Sequence, residues 1–367
     1  MLKRLYANNF RCLVNFELKF DELTLLLGPN GSGKSTIFDL LSGIRRLLAD
    51  NARISDAFPP EEFTAWIDCP EQTQTFELDV QGHDGLFSYK LVTTFMKSTK
   101  KQRIDIEQLL HDGKPVFQFQ KGEVQLYHDD HQLGPKYSFD WTVSALATIG
   151  ERNDNKKLSW FKKWISSLMI VSPQPRSMTS ETKDESAWLD PNGLNFASWY
   201  RYISQEHQDK IMALSEKLRK VIPGFHAFKL ELAGKHRILK AGFINGDHNA
   251  SPLFFDFEQL SDGQRQLIVL YSLLIGLKHT VLLDEPENYL ALAEIQPWLM
   301  ELKDACGESL NQAVLISHHP ELIDYLGREC GKWIEREPLG PVREKNLPEK
   351  FTNGFRLSEQ IARGWTE

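Results

Sequence analysis

The apolar and polar positions of this chain follow two different periods, and a period of two dominates between residues 73 and 127. Runs such as 76–80 alternate apolar with polar residues, which is typical of half-buried β-strands. Turn-forming residues separate the runs at 82–85 and at 111–115. The pattern predicts an antiparallel β meander over about 73–127.

Helical spacing follows over about 140–221. The apolar positions between 140 and 168 include aromatic residues such as Trp141 and Phe161, which we expect in the core. A longer helical stretch, about 196–221, ends before Pro223 and Gly224, and strands are expected at 228–232 and 236–243. No heptad pattern persists over three or four repeats, so no coiled-coil arm is expected.

The first 27 residues read as two strands, 2–10 and about 18–27, and they lead into a glycine-rich loop. The loop, here named the phosphate loop, reads Gly28-Pro29-Asn30-Gly31-Ser32-Gly33-Lys34-Ser35-Thr36. It fits the pattern G-x-x-x-x-G-K-[ST] at every fixed position, and the amphipathic run 37–44 predicts the helix that should follow it. Strand, loop and helix in this order predict a polyphosphate site. The alternative is a glycine-rich turn that binds nothing, and such a turn would not require a strand before it and a helix after it.

The chemistry expected of the phosphate loop follows from its residue types. Backbone N–H groups at a helix N-terminus bind anions, so Asn30 to Thr36 should wrap the phosphates. Lys34 should reach the β- and γ-phosphates of ATP, and the Ser35 hydroxyl should ligate Mg²⁺.

A second group of motifs lies near the C-terminus. The run 260–267 begins a helix with Ser261 as a good N-cap. An apolar strand at 280–283 ends in Asp284 and Glu285, and another at 313–316 ends before His318. Polar groups at the carboxyl ends of buried strands lie where open α/β sheets bind ligands. We therefore expect these two strand ends and the phosphate loop to converge on one site.

Length and charge narrow the class of protein. The chain can hold one large or two modest domains, and its formal net charge of −7 argues against a globally basic nucleic-acid binder. Its four cysteines show no C-x-x-C spacing. No apolar run approaches the ~20 residues that span a bilayer, and the N-terminus does not read as a signal peptide. These features predict a cytoplasmic protein without a membrane partner.

Together these motifs resemble an ABC-type ATPase of the SMC, RecF and OLD group, close to the stand-alone ATPases often labelled AAA-family ATP-binding proteins. The resemblance covers residues 1 to about 48 and 254 to about 333. It implies an α/β P-loop NTPase: an ABC-type ATPase head with a mixed central sheet, an antiparallel β lobe and a large α/β insertion in place of a coiled coil. The core is expected at 1–49 and 253–367, and the inserted region at 50–252.

The resemblance also implies an ATP-dependent homodimer or higher oligomer in which subunits meet head to tail. The signature of such proteins reads here Leu260-Ser261-Asp262-Gly263-Gln264. Ser261 and Gly263 would touch the γ-phosphate held by the other subunit. Asp284 would hold Mg²⁺ through water, and Glu285 would orient and deprotonate the attacking water.

Three further roles are implied by position in the family pattern. His318 resembles the switch histidine that contacts the γ-phosphate, with a structural histidine and the neighbouring His319 as alternatives. Gln174 stands where a glutamine couples the metal to the inserted lobe, although an ordinary loop residue explains it equally well. Arg11 stands where relatives have a basic residue near the nucleotide.

The chain departs from the family pattern in two respects. After Glu287-Asn288-Tyr289-Leu290, many relatives carry Asp or His in the D-loop, where this chain has Ala291, and this departure concerns communication between the two sites. The segment after His318 is too short for the Toprim nuclease of OLD proteins, so no fused nuclease is expected.

Two functions remain open, and two others fit poorly. The first is an ATPase whose dimerisation switches DNA or a separately encoded effector protein, with anti-phage defence or a toxin–antitoxin-like pair implied by the resemblance. The second is a RecF-like DNA-binding repair ATPase. It rests on two basic clusters. The first comprises Lys97, Lys100, Lys101 and Arg103, and the second comprises Lys156, Lys157, Lys162 and Lys163.

Two other functions fit poorly. A transporter subunit would not need so many residues between the phosphate loop and Ser261, and a small-molecule kinase leaves Ser261 and His318 unexplained. A metal role for the polar run 128–131 competes with a simple solvated turn.

Overall fold

The computed structural model describes residues 1–244, 251–275, 279–345, 347 and 355–364. The end of the predicted insertion at 245–250 and parts of the predicted core at 276–278, 346, 348–354 and 365–367 lie outside the described residues. Apart from single residues at the C-terminus, the chain divides into two compact units. Unit 1 comprises Met1–Leu168 with Cys330–Lys350, and unit 2 comprises Met169–Glu329 with Phe351–Trp365. The predicted division into a core and an insertion was based on sequence motifs, whereas the two units are defined by compactness. That division therefore stays a prediction.

The strands of the described chain are, in order, β1 (Leu2–Asn8), β2 (Phe16–Lys19), β3 (Leu23–Leu27), β4 (Glu71–Gln81), β5 (Leu86–Met96), β6 (Lys101–His111), β7 (Lys114–Gln120), β8 (Glu123–Tyr127), β9 (Leu133–Ser138), β10 (Leu168–Val171), β11 (Glu181–Thr182), β12 (Phe225–Ala233), β13 (His236–Phe243), β14 (Leu253–Asp256), β15 (Thr280–Asp284), β16 (Gln312–Ile316), β17 (Gly331–Arg336) and β18 (Val342–Lys345).

The α-helices are α1 (Lys34–Ala49), α2 (Ile54–Ala57), α3 (Ala145–Thr148), α4 (Lys156–Ser166), α5 (Phe196–Glu206), α6 (Gln208–Val221), α7 (Asp262–Leu273), α8 (Leu292–Ala305), α9 (Pro320–Cys330) and α10 (Leu357–Ala362). Short 3₁₀ turns lie at Pro60–Glu62, Pro175–Ser177 and Phe257–Gln259.

An antiparallel sheet of eight strands, in the order β2-β1-β4-β5-β6-β7-β8-β9, dominates unit 1. The alternation of apolar and polar residues determines which face of this sheet is buried. Phe76, Leu78 and Val80 of β4 are buried, while the residues between them are half-buried. Helix α4 packs against the buried face, where Trp160 stacks on Phe87 with ring centroids 4.6 Å apart. The predicted meander is therefore present, and it extends beyond 127 to the end of β9.

Of the remaining strands of unit 1, β3 leads into the phosphate loop. β3 pairs in parallel with β17, and β17 pairs in antiparallel with β18. Leu25, Leu26 and Leu27 are almost fully buried, which explains why β3 lacks the alternation of a half-exposed strand. Helix α1 follows the loop and buries the apolar stripe of the amphipathic run predicted at 37–44.

Unit 2 holds the second group of motifs. β15 and β16 are parallel and in register from Thr280 to Asp284, and β10 is the other neighbour of β15. Helices α7 and α8 contribute the fully buried Tyr271 and Trp298 to the core of this unit. A separate sheet pairs β13 with β11, β12 and β14.

Three local predictions were wrong. The stretch 18–27 forms two strands, because Asp21 and Glu22 separate β2 from β3 as exposed residues. The helix at 196–221 is broken at His207, whose backbone φ of −138° is not helical. Trp141 is 50% exposed, because it lies in a loop before α3 instead of on a helix face.

No helix among the described residues is long and apolar enough to cross a membrane.

Candidate functional site: the phosphate loop and the signature region

The phosphate loop of unit 1 has a backbone that glycine makes possible. Gly28, Gly31 and Gly33 have φ values of 145°, 76° and 99°, in the region that residues with a Cβ rarely adopt. A Cβ on Gly28 would lie 1.9 Å from the carbonyl oxygen of Ile334, whereas a Cβ on Gly31 would meet nothing within 4 Å. Gly28 therefore permits close packing of two backbones, and Gly31 keeps the tip of the loop open.

Lys34 is folded into this loop. It is 5% exposed, and its Nζ donates hydrogen bonds to the carbonyl oxygens of Gly28 at 2.8 Å and Pro29 at 2.9 Å, and to Ser32 Oγ at 3.4 Å. Its ammonium is thus held within the loop at the start of α1. An ammonium and a helix N-terminus at one place favour an anion.

The other loop residues fit a bound triphosphate. Asn30, Gly31 and Ser35 are exposed, and Gly33 is the N-cap of α1 without a side-chain hydrogen bond to the first turn of the helix. The Ser35 hydroxyl is a hard oxygen donor of the kind that Mg²⁺ takes beside phosphate oxygens. The residues present therefore fit ATP with a divalent cation.

Arg11 is engaged by two carboxylates of unit 1. Its Nη2 lies 2.6 Å from Glu62 Oε1, and its Nη1 pairs with Asp39 on helix α1. Burial opposes its charge, but the bonds to Glu62 and Asp39 outweigh burial and raise the pKa of the Arg11 guanidinium. The nucleotide contact expected of Arg11 stays a prediction, and its anchoring to α1 is a structural role that the sequence did not indicate.

In unit 2 the signature begins helix α7. Ser261 is the N-cap, and its Oγ accepts a hydrogen bond from the Gln264 N–H at 3.2 Å, while Gln264 Oε1 accepts from the Ser261 N–H at 3.1 Å. This reciprocal capping box leaves the N–H groups of Asp262 and Gly263, which have no acceptor within the helix. Ser261 is exposed. The N-terminus of α7 thus faces solvent with two backbone donors.

The two carboxylates after β15 lie beside the end of β16. Asp284 is opposite Ile316 in the parallel register, and the Glu285 N–H donates to the Ile316 carbonyl at 2.9 Å. Glu285 has a φ of 49°, and its Oε2 accepts a hydrogen bond from Asn288 at 2.9 Å. Because the strands are parallel, Asp284, Glu285 and the residues after Ile316 share one edge, as the strand-end pattern predicts.

The two histidines after β16 differ in their surroundings. His319 is tied to the start of α9, because its Nδ1 accepts from the Glu321 N–H at 3.2 Å and its own N–H donates to Ser317 Oγ at 3.0 Å. His318 is exposed. The switch role of His318 stays a prediction, and its register rival, His319, is hydrogen-bonded within the start of α9.

Glu287 is a site residue that the sequence reading missed. Its side chain is 8% exposed, and Oε1 accepts from Ser317 Oγ at 2.6 Å and from the His318 N–H at 3.4 Å. Burial raises its pKa, and the bond to Ser317 opposes that shift. The carboxylate therefore joins the loop after β15 to the loop that carries His318. Its place in the polar run after Asp284 was the available signal.

Gln174 lies in the loop between β10 and the 3₁₀ turn of unit 2. Its N–H donates to the Asn192 carbonyl at 2.9 Å, its carbonyl accepts from the Ser177 N–H at 2.9 Å, and it is exposed. The backbone is thus fixed while the side chain faces solvent, and its expected metal contact stays a prediction.

Most lysines of the two basic clusters have partners. Lys97 pairs with Asp68, Arg103 lies 2.7 Å from Asp105, and Lys163 lies 2.8 Å from Glu151. The Nζ atoms of Lys157 and Lys162 are hydrogen-bonded to main-chain carbonyls. These contacts reduce the positive charge available to DNA and weigh against the RecF-like repair function.

The polar turn at 128–131 has a structural role at the start of α4. Both carboxylate oxygens of Asp129 accept from the N–H groups of Lys156 and Lys157, at 2.8 and 2.9 Å. His128 Nδ1 lies 3.1 Å from Asp154, and His131 contacts the Pro115 carbonyl. Within the described ranges, no group of three or more His, Cys, Asp or Glu residues could hold a metal ion.

Comparison with family models and a curated relative points to one class of protein. A family model described as "AAA ATPase domain" matches residues 1–133, and one described as "AAA domain, putative AbiEii toxin, Type IV TA system" matches residues 203–324. An OLD nuclease from Thermus scotoductus is 52% identical over 46 residues, which are 12% of this chain and 9% of the relative. The chain thus spans a small part of that nuclease.

Solved structures with a similar fold are SMC head domains. The SMC head domain from Thermotoga maritima has a TM-score of 0.51 at 14% identity over 95% of this chain and 99% of its own. An SMC head bound to the C-winged helix domain of ScpA has a TM-score of 0.54 at 13% identity, over 94% of this chain and 98% of its own. The Pyrococcus furiosus Smc head with an extended coiled coil, bound to the C-terminal domain of ScpA, has a TM-score of 0.51 at 12% identity, over 99% and 98%.

At these identities the structural likeness shows the fold, which is that of an SMC head domain. Together with the two family models and the partial homologue, it confirms the resemblance to ABC-type ATPases of the SMC, RecF and OLD group. The two family models and the fold support an enzyme that binds and hydrolyses ATP.

Proposed function

We propose that ATP drives two copies of this chain together head to tail, and that this association switches a separately encoded effector protein. The observation that carries the proposal is the exposed N-terminus of α7, where Ser261 and Gly263 form an anion site on a signature separate from the phosphate loop in sequence. In the proposed dimer this site meets the γ-phosphate that the other subunit holds.

Each residue then has a defined part in hydrolysis. Lys34 and the backbone of the phosphate loop hold the phosphates. Ser35 and Asp284 would hold Mg²⁺, which would neutralise charge on the phosphate oxygens. Glu285 orients the attacking water and accepts its proton, and His318 contacts the γ-phosphate. Such positioning and charge stabilisation suffice for phosphoryl transfer. In the same mechanism Gln174 would be a further ligand of the metal ion.

The concentration dependence of ATP hydrolysis tests the association. If each active site needs two subunits, the rate per subunit rises with protein concentration and then reaches a plateau. Ser261→Arg, which places a bulky side chain on the exposed face of the signature, should abolish the rise while the monomer still binds ATP. A rate per subunit that stays constant across concentrations at which the protein is monomeric would overturn the proposal.

The proposed biological output is defence against phage or a toxin–antitoxin-like pair in the cytoplasm. Its support is the description of the family model that matches residues 203–324. The ScpA domains bound to similar heads support a separate protein partner. Expression of the chain with its neighbouring genes should lower the plating efficiency of phage. Glu285→Gln should remove that effect, and equal plating with and without the active chain would contradict the defence role.

A further inference from the structure

Arg176 lies beside the signature in unit 2 and has no role in the mechanism above. It belongs to the 3₁₀ turn Pro175–Ser177, two residues after Gln174, and its side chain is 79% exposed. Its Nε donates a hydrogen bond to Asp262 Oδ2 at 3.0 Å. Asp262 is the first residue of helix α7, so this contact ties the turn to the signature.

Asp262 poses an electrostatic problem for the proposed mechanism. A carboxylate at the start of α7 stabilises the helix in isolation, but it repels an incoming γ-phosphate at the same place. A second arginine, Arg265, donates from Nη2 to Asp262 Oδ1 at 2.8 Å and is 7% exposed. The two arginines and one carboxylate sum to one positive charge, and without Arg176 the sum is zero.

The free end of Arg176 faces outward. Among the described residues, its two Nη groups have no hydrogen-bond acceptor, because the contact with Asp262 uses Nε alone. The bond to Asp262 raises the pKa of Arg176 and lowers that of Asp262, so the pair stays charged. A guanidinium held at one edge and open at the other presents a planar set of donors that matches phosphate geometry.

We propose that Arg176 is a phosphate-contacting residue of the ATPase, which binds the γ-phosphate of the nucleotide held by the other subunit while Asp262 holds its position. The inference rests on the proposed head-to-tail function. It assigns to the turn after Gln174 a direct part in recognising ATP, and it explains how a signature with Asp at its third position accepts a phosphate.

The test measures ATP-dependent association in the hydrolysis-deficient Glu285→Gln background by sedimentation. Arg176→Ala should weaken the association roughly ten- to hundredfold, the range for a lost charge-assisted contact. Arg176→Lys should fall between, because lysine keeps the charge and loses the fork. The matched control is Arg356→Ala, which removes another exposed arginine of unit 2, 3.8 Å from Glu321, and should leave association unchanged.

The background Asp262→Asn separates a phosphate contact from a merely structural pair. If Arg176 touches phosphate, Arg176→Ala still weakens association when Asp262 is already neutral. If its only role is to pair with Asp262, that effect disappears and the inference is overturned. ATP affinity of the isolated monomer should be the same for all variants.

The outcomes distinguish this inference from its premise. If two Glu285→Gln subunits fail to associate in the presence of ATP, the proposed head-to-tail function is wrong, and so is the proposed contact of Arg176. If Glu285→Gln associates and Arg176→Ala associates equally tightly, only the role of Arg176 is overturned.

Discussion

The carboxylate of Glu287 accepts a hydrogen bond from the Ser317 hydroxyl at 2.6 Å, and this bond joins the two loops that carry Glu285 and His318. Both residues are buried, so the bond is sheltered from water. The proposed base and the proposed switch histidine are thereby held at one edge of the parallel pair β15 and β16. The contact is a property of unit 2 alone.

Glu287→Ala should lower kcat for ATP more than it raises KM. The change leaves the Ser317 hydroxyl and the His318 N–H without their acceptor, which costs about 2 kcal/mol of stability for buried groups, and it releases the loop that positions His318. Glu287→Gln keeps one oxygen acceptor and should lose less. Steady-state kinetics with urea unfolding of both variants checks this, and equal kcat values for Glu287→Ala and the wild type would contradict it.

Gly28→Ala and Gly31→Ala should differ although both glycines have positive φ. A Cβ at Gly28 meets the Ile334 carbonyl oxygen at 1.9 Å, so the backbone of β17 must move, whereas Gly31 has open space. We expect Gly28→Ala to destabilise unit 1 by several kcal/mol and Gly31→Ala by about 1 kcal/mol. Thermal unfolding gives the comparison, and equal losses would show that strain in φ outweighs the clash.

Glu107 should make stability fall as pH rises. Its carboxyl is buried, and burial raises its pKa from 4.5 to about 7 against the opposing bonds from Ser144 Oγ at 2.5 Å and Tyr89 at 3.0 Å. The folded chain therefore binds the proton more tightly than the unfolded chain. The stabilisation is complete below pH 4.5 and is lost as pH rises through about 7, with a span of roughly 3 kcal/mol.

Glu107→Gln isolates this contribution, because glutamine cannot ionise. The stability of the variant relative to the wild type should rise between pH 5 and pH 8. His279 contributes with the opposite sign, since burial lowers its pKa to about 4, but both proteins share that contribution. A difference in unfolding free energy that does not vary with pH would show that Glu107 does not titrate in this range.

Duplex DNA should bind weakly and with a shallow salt dependence. Main-chain carbonyls bind the Lys162 ammonium, and Glu151 pairs with Lys163. Few charges of the basic clusters can therefore neutralise DNA phosphates and release the counterions bound to them. Fluorescence anisotropy with a labelled duplex at several salt concentrations measures the slope. Tight, ATP-dependent binding that is lost when Lys100 and Lys156 are changed to Glu would favour the RecF-like alternative.

Local sequence predicted the elements whose chemistry is local. The phosphate loop needs glycines at fixed positions, and β4 needs alternating apolar and polar residues. Both could therefore be predicted from the residues alone. The break at His207 was not, because neither glycine nor proline marks the boundary between α5 and α6. The exposure of Trp141 depended on where the preceding sheet ends, which no local pattern records.

Contacts between distant segments were also beyond the sequence. Arg176 and Asp262 are 86 positions apart, and Glu287 and Ser317 are 30 positions apart. Each pair is brought together by packing of elements whose side-chain directions depend on the whole unit. The residue types were visible as charges in loops, but their partners were not.

The mass of Glu285→Gln in solution, measured by light scattering with and without ATP and Mg²⁺, tests the central claim most directly. We expect the mass of one chain without nucleotide and of two chains with it, and Lys34→Ala in the same background should keep the mass of one chain. A mass of one chain under both conditions would contradict the trans role of Ser261 and Gly263.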